Sequence, residues 1–454
     1  MDSGKLNDEV DTNAEAAEQA ETGHEPARAS GMPSWKNRAL TKEYIIMDNA
    51  GNGFDLPFLM LTLLILVFGV IMVFSASYAR AYYTTGQPMM LFTRQLVFAI
   101  SGVAIMLLAS RIKIRMLSRF SLGLFVFSVL LLIAVLKIGI RVNGAKRWIS
   151  VGKGVNSFTF QPSEIAKLAL VIIFAQMSCK FGKKMKTFKS GVLPFISLTV
   201  IIVVLLGLEP HLSAIVIVCA LTAIMMFAGG TQLRWFAIAG LVIVIAAGLL
   251  LYSYFRARSD SEEGHEVTLS EMVQEKAAGF GYAGKRISAW LNPDADPLGD
   301  GLQIRQSLFA VGSGGAFGQG LGKSRQKYLY LPEEHNDYIF AIVCEELGYI
   351  GALLILALFA LLIIRGFWLA LHARDKYSSL ITTGITSLLA IQVFLNVAVV
   401  TNLLPATGIS LPFFSYGGTA LWLQLFQMGI ILSVSRNIPE SGATEATSVR
   451  TAGP

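Results

Sequence analysis

Charge is what this sequence has little of. Only 15% of its 454 residues are Asp, Glu, Lys or Arg, while 54% are hydrophobic. Soluble domains carry about a quarter charged residues, so this balance excludes an ordinary soluble enzyme. Cysteine is nearly absent. Cys179, Cys219 and Cys344 fall in or beside apolar runs without metal-ligand spacing, and they read as small buried hydrophobes. The five histidines are dispersed, which excludes a zinc-type pattern. A nucleotide loop fails as well. Gly320-Leu321-Gly322-Lys323-Ser324 looks like the tail of one, but Phe317 stands where its first glycine belongs, and no strand precedes it. No charged-then-apolar stretch ends in a small-residue cleavage site, so no cleaved signal peptide is expected. The net charge of +7 does not point to nucleic acid, because the basic residues cluster beside apolar runs.

Those apolar runs are what is there. About ten are long enough to cross roughly 30 Å of hydrocarbon. They are Leu56–Ser77, Leu91–Ser110, Leu117–Ile138, Ser163–Cys179, Gly191–Leu208, His211–Gly229, Leu233–Phe255, Tyr338–Ile364, Ser378–Thr401 and Gly418–Ser435. The expected fold is an all-α polytopic membrane protein spanning residues 51–436. Residues 1–50 are too polar to bury a core, so a disordered tail is expected there, with a short polar tail at 437–454. Basic clusters precede the first span and follow the second, fourth and eighth. They share one side if both termini are cytoplasmic, as the positive-inside rule favours.

One short loop breaks that rule. Arg141, Lys146, Arg147 and Lys153 lie between spans three and four, on the expected outer side. They either bind an anion there or snorkel to headgroups. The outer connection from about 256 to 337 is too long for a plain linker. Within it, Thr268-Leu269-Ser270-Glu271 has capping-box spacing and opens an amphipathic stretch towards Trp290, expected to lie along the membrane surface. The glycine-rich run at 312–322 is expected to be a flexible surface loop.

Polar residues inside spans are functional candidates, and here they gather near the outer ends: Arg94, Gln95, Glu164, Lys167, Glu345, Glu346 and Asn396. Glu164 and Lys167, at i and i+3, share a helix face and can pair. Their concentration predicts a polar crevice opening outward, rather than the midplane site of a transporter. An outward site has no nucleotide triphosphate, so a synthetic reaction there needs a pre-activated substrate. A lipid-linked diphosphate sugar fits: cations such as Arg147 and Lys167 would neutralise its leaving group, and a loop aspartate would take the proton of the attacking hydroxyl. The loop chemistry alone does not choose among Asp294, Asp296 and Asp300.

Several segments together resemble the SEDS family of membrane glycosyltransferases, which includes FtsW, RodA and SpoVE. They are Asn143-Gly144-Ala145-Lys146-Arg147-Trp148, Phe160-Gln161-Pro162-Ser163-Glu164-Ile165-Ala166-Lys167, Asp296-Pro297-Leu298-Gly299 and the run from Leu331 through Gly348. Leu404-Pro405-Ala406-Thr407-Gly408 and Leu411-Pro412-Phe413-Phe414-Ser415-Tyr416-Gly417-Gly418 complete the set. The resemblance implies polymerisation of lipid II into peptidoglycan strands, with Asp296 as catalytic carboxylate and Glu164 and Lys167 as an essential pair. It also implies a class B penicillin-binding protein, a transpeptidase, as partner, among other division or sporulation wall-synthesis proteins in the bacterial cytoplasmic membrane.

On that reading, Arg94 and Arg147 contact the diphosphate, while Ser415 and Tyr416 either line the crevice or pack within a Pro/Gly turn. A divalent cation such as Mg or Mn is left open. The Asn-Gly-Ala-Lys-Arg-Trp form leans to the division or sporulation branch. Two positions depart from the family pattern: Glu209-Pro210-His211 stands where Gln-Pro-Asp is usual, and Asn402 where a glycine is usual. The rival expectations are a lipid II flippase and a scaffold for the transpeptidase.

Overall fold

The computed structural model describes residues 53–142, 145–152, 158–259, 282–294, 299 and 301–438. Asp296, Lys153 and the Thr268–Glu271 capping box lie outside the described residues. So do the tails at 1–50 and 439–454.

The chain threads up and down through long helices. In order they are α1 (Leu56–Thr85), α2 (Met90–Ala109), α3 (Ile114–Ile138), α4 (Pro162–Phe181), α5 (Leu193–Leu208), α6 (Leu212–Gly229) and α7 (Leu233–Ser259). Then come α8 (Tyr282–Leu291), α9 (Leu302–Ser313), α10 (Ile339–Leu371), α11 (Lys376–Val400) and α12 (Gly418–Ser435). Among the described residues, nine helices are long and apolar enough to cross a membrane. The 27-residue α7 occupies the place of the remaining expected span. Side chains such as Val97, Ile100, Phe120 and Leu122 point outward, as lipid-facing residues do, whereas α4, α11 and α12 are buried most and form the centre.

One element was not expected. Between α3 and α4 the basic loop folds into a three-stranded antiparallel sheet: β1 (Ile140–Val142), β2 (Ala145–Val151) and β3 (Phe158–Phe160). The register pairs Ile149 with Phe160 and Ser150 with Thr159. A small sheet at a helix end satisfies its own backbone groups, which an open loop beside hydrocarbon could not.

Local chemistry sets the helix ends. Asp55 caps α1 by accepting from the Phe58 N–H at 2.9 Å and pairs with Arg365 of α10 at 2.5 Å. Asp375 caps α11 through the Ser378 N–H at 2.9 Å. Such caps stabilise a helix by about 1 kcal/mol. Helix α10 is broken at Gly348, where φ is 69°. The glycine-rich run docks on this break instead of lying free. Gln319 and Gly320 donate to the carbonyls of Glu345 and Glu346 at 3.0 Å, and Tyr349 and Ile350 donate to Gly315 and Ala316 at 2.8 and 3.1 Å. A Cβ on Gly348 would come within 2.2 Å of the Gly318 nitrogen, so the backbones meet only because both residues lack one.

The expected single outer crevice divides in two. Glu345 and Glu346 face the docked loop: Glu346 accepts from Lys327 Nζ at 2.9 Å and from Ser75, and Glu345 accepts from Ser324 and the Arg325 N–H at 2.9 Å. These bonds brace the loop. Asn396 ties α11 to the carbonyls of Asp337 at 2.8 Å and Ile409 at 2.6 Å. Gln95 reaches the Ser415 carbonyl at 3.4 Å. All of these polar groups serve packing, and what they frame is the remaining cluster.

Candidate active site

That cluster gathers where β2, the start of α4, the α5–α6 corner and the chain before α10 meet. Pro162 opens α4 at its first turn, where a missing N–H costs nothing. One turn later Lys167 Nζ donates to Glu164 Oε1 at 2.7 Å. The lysine side chain is 3% exposed and the glutamate 12%, so the pair sits just inside the surface with the carboxylate on the outer side. The expected pairing holds.

The strand β2 sorts the basic loop by its alternating faces. Arg147 turns inward, and its Nη2 donates to the Pro210 carbonyl of the α5–α6 corner. Lys146 turns back to the Leu136 carbonyl at 3.4 Å, so it caps the last turn of α3 rather than entering the cluster. Arg141 is exposed.

Glu209 and His211 flank Pro210 and are 1% and 5% exposed. Among the described residues, neither Glu209 carboxylate oxygen nor His211 Nδ1 has a hydrogen-bond partner, while His211 Nε2 lies 3.3 Å from Gln161 Nε2. Burial pushes the Glu209 carboxyl up to about 8, and Arg147 only partly offsets this. Burial, then Arg147 and Lys167, hold the His211 imidazole well below its ordinary range. Burial thus disfavours charge on both groups, beside Arg147 and the Glu164-paired Lys167.

Asp337 comes from the other wall. Burial and then Glu333 push its carboxyl up to about 6, against Arg147, Arg286 and His335. Its carboxylate fits because Gly408 has no side chain: a Cβ there would lie 3.1 Å from Oδ2. Beside it, Glu334 grips Arg80 through two bonds of 2.8 and 2.9 Å. Burial alone would raise the Glu334 carboxyl, but its bonds to His335 and Arg80 and their charges hold it below the usual range.

The remaining expected site residues separate. Ser415 accepts from the Leu411 N–H at 2.7 Å and donates to the Asn336 carbonyl at 2.8 Å, which makes it a turn brace. The Tyr416 N–H donates to the His335 carbonyl at 2.9 Å, and its ring packs on His335 with centroids 5.8 Å apart. Arg94 lines a cavity of about 550 Å³ with Gly86–Met90 and Thr93, and none of these residues belongs to the Arg147 cluster. Asp296 lies outside the described residues, but the helices before and after its segment are anchored. On α8, Trp290 donates to the Asn402 carbonyl at 3.0 Å, and Arg286 donates to Gln303 of α9 at 3.2 Å. On α9, Ser307 donates to the Val400 carbonyl at 2.8 Å.

Sequence reasoning did not assign Glu209, His211, Asp337 or Arg286 to the site. The signal for the first two was the polar Glu-Pro-His interruption between adjacent apolar spans, and for Asp337 its place one residue before a span. Arg286 gave none. Among the described residues no group of three or more His, Cys, Asp or Glu side chains is placed to hold a metal. The arrangement brings Arg147 and the Glu164-paired Lys167 together with two buried carboxyls, Glu209 and Asp337, and a buried imidazole at the end of the bundle, and its cations suit an anionic headgroup.

Comparison with known proteins places this architecture. Residues 56–439 match the model of the FtsW/RodA/SpoVE family, described as cell cycle proteins. The chain is 40% identical over 385 residues to Stage V sporulation protein E of Bacillus subtilis, covering 84% of this chain and 97% of that one. It is 36% identical over 387 residues to the "Probable peptidoglycan glycosyltransferase FtsW" of Trichlorobacter lovleyi, covering 85% and 94%. Among solved structures it matches one described as "Structural coordination of polymerization and crosslinking by a peptidoglycan synthase complex", with a TM-score of 0.64, 26% identity and coverage of 86% and 100%. It also matches Thermus thermophilus rod shape determining protein RodA, with a TM-score of 0.57, 26% identity and coverage of 86% and 99%. By its sequence and by its fold, the chain belongs to the FtsW/RodA/SpoVE family of multi-pass membrane proteins.

Proposed function

We propose that this protein is a peptidoglycan glycosyltransferase that polymerises lipid II at the outer face of the bacterial cytoplasmic membrane, with both chain termini cytoplasmic. The observation that carries this reading is the gathering of Arg147 and the Glu164–Lys167 pair at one end of the membrane bundle, where β2, the start of α4 and the α5–α6 corner meet. Relatives carrying the glycosyltransferase name align along nearly their whole length. The basic clusters at 180–189 and 111–119 end the helices opposite this mouth, which supports the orientation by the positive-inside rule.

The step is an inverting displacement. Asp296 takes the proton from the 4-hydroxyl of the acceptor's N-acetylglucosamine. That oxygen forms a bond to the anomeric carbon of the donor's N-acetylmuramic acid. The bond from that carbon to the phosphate oxygen breaks, and its electron pair leaves with undecaprenyl diphosphate. Arg147 and Lys167 neutralise the departing charge, and Glu164 orients Lys167. A class B penicillin-binding protein would crosslink the emerging strand.

Purified protein with its transpeptidase, given purified lipid II, tests the reading. Wild type should yield long glycan strands, and R147A and K167A should each lose about 10²–10³ in turnover. Lipid II that crosses vesicle membranes without being polymerised would replace the glycosyltransferase with a flippase.

A further inference from the structure

At the far end of α4 from the Arg147 cluster, the chain turns through a basic platform that the proposed reaction does not use. Lys180, Lys183, Lys184, Lys186 and Lys189 fall together there, and no Asp or Glu stands among residues 180–192. A 3₁₀ turn spans Gly182–Lys186. With three residues per turn, Lys183 and Lys186 eclipse on one side, Lys184 takes the second and Met185 the third.

Met185 is the anchor. It is 1% exposed, and a Cβ on Gly191 would lie 1.8 Å from its carbonyl oxygen, so the turn sits directly on that backbone. The Gly191 N–H donates to the Thr187 carbonyl at 2.7 Å, and Thr231 donates to the Gly191 carbonyl at 3.2 Å. From the start of α7, Trp235 donates to the Lys186 carbonyl at 3.3 Å. Its ring packs on Phe188 with centroids 5.0 Å apart and carries the Arg234 guanidinium 4.9 Å away. The backbone under the lysines is therefore braced on both sides, while the five lysines and Arg234 are exposed. Among the described residues none of the six takes part in an ion pair. Like charges held on one face repel, so this arrangement is stabilised by an anion. Beside the cations, Phe188 is 48% and Leu233 68% exposed.

We propose that this platform is a binding site for anionic phospholipid, with phosphates seated among Lys183, Lys184, Lys186 and Arg234 and acyl chains against Phe188 and Leu233. Cation clusters at the ends of membrane helices meet lipid phosphates at headgroup level, where a ring such as Trp235 also settles. The exposed apolar flank selects lipid over an acidic protein segment, which has no use for it. Helix α4 has 20 residues, so about 30 Å separates this site from the Arg147 cluster. The proposal rests on the membrane bundle and not on the glycosyltransferase reading or on which face is cytoplasmic.

The test is native mass spectrometry of the full-length protein in detergent, titrated with phosphatidylglycerol or phosphatidylethanolamine. Wild type should retain phosphatidylglycerol in preference, and K183Q/K184Q should weaken that binding by about tenfold. Both lysines are exposed, so folding should survive, which a melting curve checks. K113Q/R119Q removes the same charge from another basic cluster and should leave the tight phosphatidylglycerol site intact. F188S should weaken phosphatidylglycerol binding without changing the preference between headgroups. Equal retention of the two lipids, or equal loss in the two double variants, overturns the proposal and leaves the lysines as topology signals. Poly-glutamate binding through Lys183 and Lys184, without lipid preference, overturns it in favour of an acidic protein partner. Strand synthesis is not read, so failure of the polymerase reading would leave these outcomes unchanged.

Discussion

Lys167 shows how one side chain can be both structural and chemical. Its ammonium is buried against Glu164. Removing one partner of such a pair leaves an uncompensated charge, which costs about 3–5 kcal/mol when fully buried. K167M should therefore melt well below wild type by fluorimetry, and K167M combined with E164L should recover most of the loss. Polymerisation should stay absent in both. Recovery of activity in the double variant would reduce the pair to a packing element. Glu209 gives a second residue-scale prediction, with its sign fixed by linkage. The unfolded chain ionises it above about 4.5, while the folded chain keeps it protonated to about 8. Folded stability from this group is therefore lost progressively as pH rises through that window. The melting advantage of E209Q over wild type should be nil near the lower limit and fully developed above the upper one. An advantage independent of pH would contradict the assigned proton. The Glu164–Lys167 pair was legible because i, i+3 spacing fixes a shared face. Lys146 and Arg147 could not be separated in the sequence, because which one turns inward depends on strand register. For Ser415 the sequence left two readings, crevice lining or packing within the Pro/Gly turn, and its bonds to Leu411 and Asn336 show the turn packing.

At the level of elements, apolar length located most span ends to within a few residues, since hydrocarbon thickness is a strong constraint, but α1 and α10 run on to Thr85 and Leu371, past the expected Ser77 and Ile364. The three-stranded sheet was missed because two of its strands have only three residues and carry almost no periodicity, which leaves the seven-residue β2 without a legible partner. The docking of the glycine run was missed for a different reason. Its partner is a break inside α10, and the hydropathy of that helix is continuous across Gly348. G348A should be severely destabilising: it places a side chain at positive φ, costing roughly 1–3 kcal/mol, and drives its Cβ into the Gly318 backbone. A fall in melting temperature with loss of folded yield is expected, and a wild-type melt would refute the docking. Asn402 makes the opposite case. Its φ is 58°, a conformation that glycine adopts freely and asparagine tolerates. The departure from the family's glycine therefore preserves the turn that receives Trp290. N402G should melt within about 1 kcal/mol of wild type, whereas β-branched N402V should lose more.

For the whole molecule, the sequence-level argument ran from scarce charge to membrane spans, from basic clusters to orientation, and from orientation to a pre-activated substrate. The helix order and the up-and-down threading agree with the first of these links, the membrane spans. Orientation has its own test. In a cysteine-free background, K184C should react with a membrane-impermeant thiol reagent only from the cytoplasmic side, and Q303C only from the outside. The reversed pattern would put the crevice where nucleotide-activated sugars are available, removing the reason for a lipid-linked donor. The central claim is that the bundle mouth performs glycosyl transfer with Asp296 as its base. The most direct measurement is the rate of glycan strand formation from purified lipid II by D296N relative to wild type, with the transpeptidase present and melting temperatures matched. Loss of a general base predicts a drop of about 10²–10⁴. Strand synthesis by D296N at the wild-type rate would contradict the account.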